Sequence, residues 1–256
     1  MGDRPVLLEL DGSLAWITLN RPAVLNALDL ALMKELDAVT AVAADAPEVR
    51  VVVVRGAGRA FCSGLDLNMM GREGMPPGFY ETQETAFRAL ELMDKITIAA
   101  LHGDCLGGGV QLAICCDIRV CSSDCRLGLP AVLEGLFPGM APYRLPQLIG
   151  RGPAARLILS GEVIDADEAR GMGLVDHLVP ADRFEGGLAE FVELYRQMSP
   201  TAAVAAKRLM RRAFDGSFED ALAESLPLLA NCLASPEVEA AKQAWRDRKA
   251  GRGAPS

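Results

Sequence analysis

The sequence predicts an α/β fold with a largely parallel sheet, followed by a helical C-terminal region. Apolar runs of strand length alternate with segments that carry apolar residues at helical spacing through much of the chain. The valine-rich run at residues 49–54 is typical of a strand that is buried on both faces. From residue 183 to the end the pattern is almost wholly helical. We therefore expect a core at residues 1–195 and a helical region at residues 196–256.

Local signals place the individual elements. Asp11-Gly12 separates two runs of alternating polarity and predicts a β-hairpin. Asp29 precedes a helical pattern and is placed to cap it, whereas the glycines and prolines at residues 71–78 predict a mobile loop. We expect strands at residues 6–10, 14–19, 49–54, 97–101, 118–121 and 175–179. We expect helices at residues 29–42, 82–93, 110–115, 153–160 and 165–171, with an irregular segment or a short helical turn within 128–139.

Composition argues against several classes of protein. The chain has 256 residues, of which 50% are hydrophobic and 23% are charged, as in an ordinary globular core. Its formal net charge of −8 disfavours binding to nucleic acid, and charged residues interrupt the longest apolar stretches, so we expect no membrane span. Its seven cysteines form no Cys-x-x-Cys pair, so we expect reduced thiols and no metal site. The sequence turns polar directly after its first residue, which predicts no signal peptide and hence a cytoplasmic protein.

Two glycine-containing segments, at residues 59–67 and 102–111, indicate chemistry. Each follows a predicted strand and leads into a helix-like stretch, where the first backbone N–H groups have no partner within the helix. Two such groups aimed at one point would form an oxyanion hole, a site that stabilises negative charge on a carbonyl oxygen. The alternative is that the glycines at residues 107–109 only make room for a packed neighbour. Residues 55–60 do not form a dinucleotide-binding loop, because Phe61 stands where a third glycine is needed.

Short motifs in the sequence match one protein family, in the family's order, from about residue 6 to residue 180. They are Asn20-Arg-Pro22, Asn26-Ala-Leu28, Ala60-Phe61, Ser63-Gly64, Asp66-Leu67, Leu106-Gly-Gly-Gly109, Leu112-Ala113, Cys116-Asp117, Gly128-Leu-Pro130, Gly135-Leu-Phe-Pro-Gly139, Ala166, Glu168-Ala169 and Gly173-Leu-Val175. In these motifs the sequence resembles the crotonase superfamily, also called the enoyl-CoA hydratase/isomerase family. The resemblance implies a spiral of ββα units with a C-terminal helical trimerisation region, assembled as a homotrimer or a dimer of trimers. It also implies an acyl-CoA thioester as substrate, with coenzyme A bound only as part of that substrate and no permanent cofactor.

The resemblance also assigns roles to individual residues. By position, the two N–H groups of the oxyanion hole belong to Leu65 and Gly108. The residues that would contact CoA are Val24, Ser63, Asp66, Trp245 and Arg248. The last two would reach the CoA of a neighbouring subunit, although a solvated basic helix end explains them equally well. The chemistry is coherent, because a thioester enolate places negative charge on the oxygen that the two N–H groups would stabilise.

The sequence departs from the family pattern beside this hole. The hydratases of the family carry two glutamates, at the positions that Gln111 and Ala131 occupy here. Glutamine cannot exchange a proton near neutral pH, and the alanine side chain has no polar atom. We therefore expect isomerase-like or other enolate chemistry rather than standard hydration. Glu134 follows Ala131 by three residues and would share its face of a helical turn, where it would act as a single base. The alternative is that Glu134 points to solvent or makes a structural ion pair.

Two other functions stay open. The loss of both glutamates also fits a non-catalytic acyl-CoA binding protein on the same scaffold, and an atypical enoyl-CoA hydratase would have relocated its acid and base groups. His102 is a further candidate base, but a packing or hydrogen-bonding role is favoured at this strand end. Tyr143 and Arg144 follow the Pro-Gly loop and would line the acyl tunnel or a subunit contact.

Overall fold

The computed structural model describes residues 4–252, and within this range the chain divides between Arg196 and Gln197 into two compact units. The described part of the chain excludes residues 1–3 and 253–256, which are the ends of the two predicted regions. It also excludes the side chains of Glu73 and of residues 249–252. No helix within residues 4–252 is both long enough and apolar enough to cross a membrane.

The first unit contains two β-sheets. Its described strands are β1 (Val6–Asp11), β2 (Leu14–Leu19), β3 (Val51–Gly56), β4 (Ile96–Leu101), β5 (Asp104–Leu106), β6 (Ile118–Ser122), β7 (Arg126–Gly128), β8 (Val163–Asp165) and β9 (His177–Val179). The larger sheet has the order β1-β2-β3-β4-β6-β9, and all its neighbours are parallel except the hairpin pair β1 and β2. The predicted hairpin is confirmed, since Asp11 pairs with Leu14 across the turn. The prediction of a largely parallel sheet is confirmed as well.

The smaller sheet has the order β5-β7-β8, with β5 parallel to β7 and β7 antiparallel to β8. Successive strands alternate between the two sheets, because β4 and β6 belong to the larger sheet while β5 and β7 belong to the smaller one. This alternation winds the chain into a spiral. An isolated parallel bridge between Cys62 and Cys105 continues the smaller sheet towards the N-terminal segments.

The helices of the first unit cover the sheets. They are α1 (Leu30–Asp45), α2 (Leu67–Glu73), α3 (Phe79–Leu92), α4 (Gly108–Ile114), α5 (Ala141–Ile149), α6 (Arg151–Ser160), α7 (Ala166–Met172) and α8 (Phe184–Arg196). Asp29 caps α1, as predicted, because its carboxylate accepts a hydrogen bond of 2.8 Å from the N–H of Leu32. Alternate valines of β3 belong to the main core and to a second core that includes α8. The prediction that this strand is buried on both faces is therefore confirmed.

Several elements differ from the prediction. The prediction of a loop at residues 71–78 is wrong for its first three residues, because α2 extends to Glu73. Asp66 starts this helix, since one carboxylate oxygen accepts from two N–H groups of the first turn at 3.1 and 3.3 Å. Helix α5 is not predicted, because Pro146 lies inside it and proline disfavours a helix interior. Strands β5, β7 and β8 have three residues each, too few to show an alternating pattern.

The second unit is helical, as predicted. Its helices are α9 (Pro200–Arg211), α10 (Phe218–Leu233) and α11 (Pro236–Arg252), and α9 packs against α10. Ser217 starts α10 with a reciprocal capping box to Asp220. Helix α10 carries an exposed apolar row at helical spacing, formed by Phe218, Leu222, Leu226, Leu229 and Leu233. We call this set the α10 row.

Candidate active site

Three chain segments leave the smaller sheet at one edge, and this convergence builds the site. Cys62 donates its N–H to the carbonyl of Asp104 at 3.0 Å and accepts from the N–H of Leu106 at 2.9 Å, so its strand runs parallel to β5. Strand β5 is in turn parallel to β7. Because the carboxyl ends of parallel strands lie at the same edge, the residues that follow Cys62, β5 and β7 meet there.

The N–H of Leu65 is free because of the way its segment pairs. Leu28 donates its N–H to the carbonyl of Gly64 at 2.7 Å and accepts from the N–H of Asp66 at 3.0 Å. These bonds flank Leu65, so the N–H of Leu65 points away from Leu28. The N–H of Gly108 belongs to the first turn of α4 and has no intrahelical acceptor. Within residues 4–252, neither of these two N–H groups has a hydrogen-bond partner.

Glycines bring the two N–H groups together. A Cβ at Gly64, where φ is +93°, would lie 2.9 Å from the carbonyl oxygen of Leu106 and 3.2 Å from the nitrogen of Gly108. A Cβ at Gly109 would lie 2.4 Å from the carbonyl oxygen of Cys62. The two backbones approach so closely that only glycine fits at these positions. The glycine triplet therefore both allows close packing and presents the Gly108 N–H beside Leu65.

Leu65 and Gly108 line a cavity of about 220 Å³. Apolar side chains, backbone and a few polar groups form its wall, and the wall includes Leu65, Gly108, Gln111, Ala131 and Glu134. Ala131 and Glu134 lie three residues apart on a 3-10 turn, where such residues are stacked one above the other. Among the described residues that line the cavity, Glu134 is the only acid and no lysine, arginine or histidine is present. The Glu134 side chain is exposed and makes no hydrogen bond or ion pair with any described residue.

Tyr80 and Gln83 of α3 also line the cavity, and sequence reasoning does not find them. Gln83 lies in the buried stripe of α3, between Phe79 and Phe87, at positions where a helix that packs on a core carries apolar side chains. A glutamine within an apolar stripe is therefore the sequence signal by which Gln83 could have been identified. Because the predicted helix starts only at residue 82, Tyr80 lies outside it.

Burial and neighbouring charges act on Tyr80. Burial raises the pKa of its phenol above the ordinary value, the nearby Glu84 carboxylate raises it further, and Arg144 opposes them. The phenol is therefore protonated at neutral pH. Arg144 itself bonds to Glu84 at 2.8 Å and to Glu91 at 3.2 Å, and neither it nor Tyr143 lines the cavity.

The predicted CoA contacts of the first unit have different surroundings. Ser63 lines the cavity, and Val24 is half-buried at the end of a 3-10 turn. Asp66 is buried and uses both carboxylate oxygens, one for the α2 cap and the other for Arg21 at 3.1 Å. Asp66 therefore has a structural role in positioning the segment that contains Leu65.

Other candidates lie away from the cavity. His102 contacts the carbonyl of Gly58 at 3.0 Å and lies 6.0 Å from the ring of Phe184, in a different cleft. Trp245 and Arg248 lie three residues apart on α11 of the second unit, and both side chains are exposed. No group of three or more His, Cys, Asp or Glu side chains among the described residues could hold a metal ion.

Two unpaired N–H groups, one acid and a largely apolar wall define a protein that can stabilise negative charge on the carbonyl oxygen of a bound substrate. The comparisons with known proteins define its family. The enoyl-CoA hydratase/isomerase family matches residues 9–250. The chain therefore belongs to the enoyl-CoA hydratase/isomerase family, within the crotonase superfamily.

Relatives and solved structures agree with this assignment over nearly the whole chain. The short-chain-enoyl-CoA hydratase of Clostridium acetobutylicum is 34% identical over 248 residues, which cover 95% of each chain. The crystal structure of enoyl-CoA hydratase from Bacillus anthracis superposes with a TM-score of 0.89 at 29% identity, covering 95% of this chain and 96% of that one. A Thermobifida fusca protein solved in complex with CoA gives a TM-score of 0.82 at 29% identity, covering 93% and 95%. The predicted crotonase-type fold is confirmed.

Proposed function

We propose that this protein isomerises the double bond of enoyl-CoA thioesters through an enolate, with Glu134 as its single base. The observation that carries this proposal is the composition of the cavity wall. Two unpaired N–H groups lie in the same cavity as one acid, Glu134, and the positions at which hydratases of the family carry glutamates hold Gln111 and Ala131. One base that removes a proton and returns it to another carbon is enough for isomerisation.

The proposed reaction follows from this arrangement. The carbonyl oxygen of a 3-enoyl-CoA thioester accepts hydrogen bonds from the N–H groups of Leu65 and Gly108. The Glu134 carboxylate removes a proton from C2, and the electrons move into an enolate whose charge the two donors stabilise, each by roughly 3 kcal/mol. The carboxylic acid formed at Glu134 then returns the proton to C4, which gives the 2-enoyl-CoA and restores the carboxylate. Gln111 donates or accepts hydrogen bonds near the acyl chain but transfers no proton.

The rest of the CoA would lie outside the cavity, on the family's usual contacts. The family assignment and the CoA complex of the Thermobifida fusca protein support CoA binding. We assign contacts to Val24 and Ser63, and to Trp245 and Arg248 from a neighbouring subunit of a trimer or hexamer. Asp66 would contribute mainly through the backbone that it holds in place, since its carboxylate is already bonded.

A hydratase is the second candidate function, because the relatives described above are hydratases. In that case Gln111 and Glu134 would hold the water that adds to a 2-enoyl-CoA, and Glu134 would activate it. A protein that binds acyl-CoA without turnover is the third candidate, and the replacement of both glutamates favours it over an ordinary hydratase.

A panel of CoA esters separates the three functions. Purified protein is incubated with crotonyl-CoA, trans-3-hexenoyl-CoA and a malonyl-type CoA ester, and products are identified by chromatography and mass spectrometry. Isomerase chemistry predicts conversion of 3-hexenoyl-CoA to 2-hexenoyl-CoA. Formation of 3-hydroxybutanoyl-CoA as the main activity would instead establish a hydratase. Tight binding without any product would establish a binding protein.

Variants of the base test its assignment. Glu134→Gln removes the proton acceptor but keeps the shape, and we expect turnover to fall by about 10²–10⁴-fold. Glu48→Gln is the matched control, because Glu48 is exposed and does not line the cavity, and its rate should equal that of the wild type. Full activity of Glu134→Gln would show that another group is the base.

A further inference from the structure

The cavity wall carries polar groups without hydrogen-bond partners. Gln83 is 5% exposed and lines the cavity, and its amide is neither hydrogen-bonded to a described residue nor fully covered. What remains accessible of this side chain therefore faces the cavity. Once a bound substrate excludes water from the cavity, an amide left without a partner costs roughly 1–3 kcal/mol, which an aliphatic side chain at the same position would not.

Two further unpartnered polar atoms belong to residues that line the same cavity. The side-chain oxygens of Tyr80 and Gln111 are both buried and have no hydrogen-bond partner among the described residues. Both lie next to Gly139, where a Cβ would be 2.1 Å from Gln111 Oε1 and 2.6 Å from Tyr80 Oη. These two atoms are thus at most 4.7 Å apart, the sum of the two distances. Because these two oxygens have almost no accessible surface, they cannot bond a substrate directly, and the Gln83 amide is the accessible polar group of α3 on this wall.

Few charged residues line the cavity, and this limits the chemical groups that can bind beside Gln83. Among the described residues that line the cavity there is no cation, and Glu134 is the single acid. A carboxylate on the acyl chain would be desolvated there without a counter-ion, which is costly. A plain alkyl chain would leave the Gln83 amide unpaired. An uncharged oxygen satisfies the amide at no such cost, because glutamine can both donate and accept.

We propose that the acyl group of the substrate carries an uncharged oxygen, a hydroxyl or carbonyl group, which hydrogen-bonds to the amide of Gln83. The proposal rests on the proposed function, since it takes the cavity to be the acyl site. Gln83 is a specificity-determining residue: it takes no part in proton transfer, and it selects an oxygenated acyl group over the alkyl and carboxylate analogues of the same length.

Three four-carbon esters that differ only at the end of the chain test the proposal. Butanoyl-CoA, 4-hydroxybutanoyl-CoA and succinyl-CoA end in a methyl, a hydroxymethyl and a carboxylate group. Their affinities for the wild-type protein are measured by isothermal titration calorimetry. We expect 4-hydroxybutanoyl-CoA to bind about tenfold more tightly than each of the other two, the difference that one unpaired buried hydrogen-bonding group makes.

Matched variants assign the preference to Gln83. Gln83→Met keeps the length of the side chain and removes the amide, so the ratio of hydroxybutanoyl to butanoyl affinity should fall to about one while butanoyl-CoA still binds. Gln147→Met is the control, because Gln147 is exposed on α5 and does not line the cavity, and it should keep the tenfold ratio. Equal affinities of the wild type for the two esters, tightest binding of succinyl-CoA, or an unchanged ratio in Gln83→Met would overturn the inference. If none of the three esters binds the wild type, the proposed function itself is wrong.

Discussion

Cys62 is the thiol nearest in sequence to Leu65, and the structure makes it unreactive. Its thiol is completely buried and accepts a hydrogen bond from the N–H of Gly64. Burial raises the pKa of the thiol to about 12 from 9.0, and the Gly64 N–H opposes this only in part. The thiol is therefore protonated at neutral pH, so Cys62 takes no part in the proposed reaction as a nucleophile.

Alkylation with iodoacetamide tests whether the Cys62 thiol is unreactive in the folded protein. We expect iodoacetamide at pH 8 to leave Cys62 unmodified in the native protein and to modify it in urea, as read from peptide masses. The unfolded thiol ionises near pH 9.0 while the folded one keeps its proton to about 12, so this group lowers the free energy of unfolding as pH rises through that window. Rapid alkylation of native Cys62 would contradict the assigned environment.

At the residue scale, the sequence predicts the groups that lie within local motifs and misses those that tertiary packing adds. Leu65, Gly108, Gln111 and Glu134 lie in glycine or proline motifs whose spacing is visible in one chain. The structure places all four in one cavity wall. Gln83 reaches that wall only because α3 packs across it, and no local motif encodes this contact.

At the element scale, the close contact between α4 and the Cys62 strand end positions the site, and glycine makes it possible. Gly109→Ala would place a Cβ 2.4 Å from a backbone oxygen, so backbone must move. We expect a loss of about 1–3 kcal/mol in the free energy of unfolding, with lower turnover. Gly186→Ala is the control: nothing lies within 4 Å of its Cβ in α8, and it should gain up to about 0.5 kcal/mol. Urea unfolding measures both, and equal midpoints for the two variants would refute the packing argument.

The elements that prediction missed are those with weak local signals. The small strands β5, β7 and β8 exist because they pair with one another and with Cys62, and their three residues carry no period of their own. Helix α5 forms despite Pro146, since burial of Ala141, Leu145 and Ile149 outweighs the lost hydrogen bond. By contrast, the long α1 and the valine strand β3 have strong periodic or compositional signals and are predicted.

At the scale of the whole molecule, the exposed α10 row is too large an apolar face to leave in water. The family resemblance implies a helical C-terminal trimerisation region, and we assign the α10 row to a subunit contact within it. We predict a particle of three or six times the 27.2 kDa of one chain, measured by light scattering. Combining Leu226→Glu with Leu229→Glu should yield smaller species that keep their helical circular dichroism.

The control for this experiment lies on the opposite face of the same helix. Asn231 is exposed and lies about half a turn away from the α10 row, so Asn231→Glu should leave the particle mass unchanged. A wild-type mass of one chain, or an unchanged mass in the double variant, would contradict the assignment of the α10 row as a subunit contact.

In the proposed reaction one carboxylate moves one proton across an enolate held by Leu65 and Gly108. Conversion of 3-hexenoyl-CoA in D₂O, followed by proton NMR at C2 and C4, tests it most directly. We expect 2-hexenoyl-CoA in which C4 retains part of the hydrogen removed from C2, and loss of the reaction in Glu134→Gln. Full deuterium at C4 with an undiminished rate in Glu134→Gln, or 3-hydroxyhexanoyl-CoA as the only product, would contradict it.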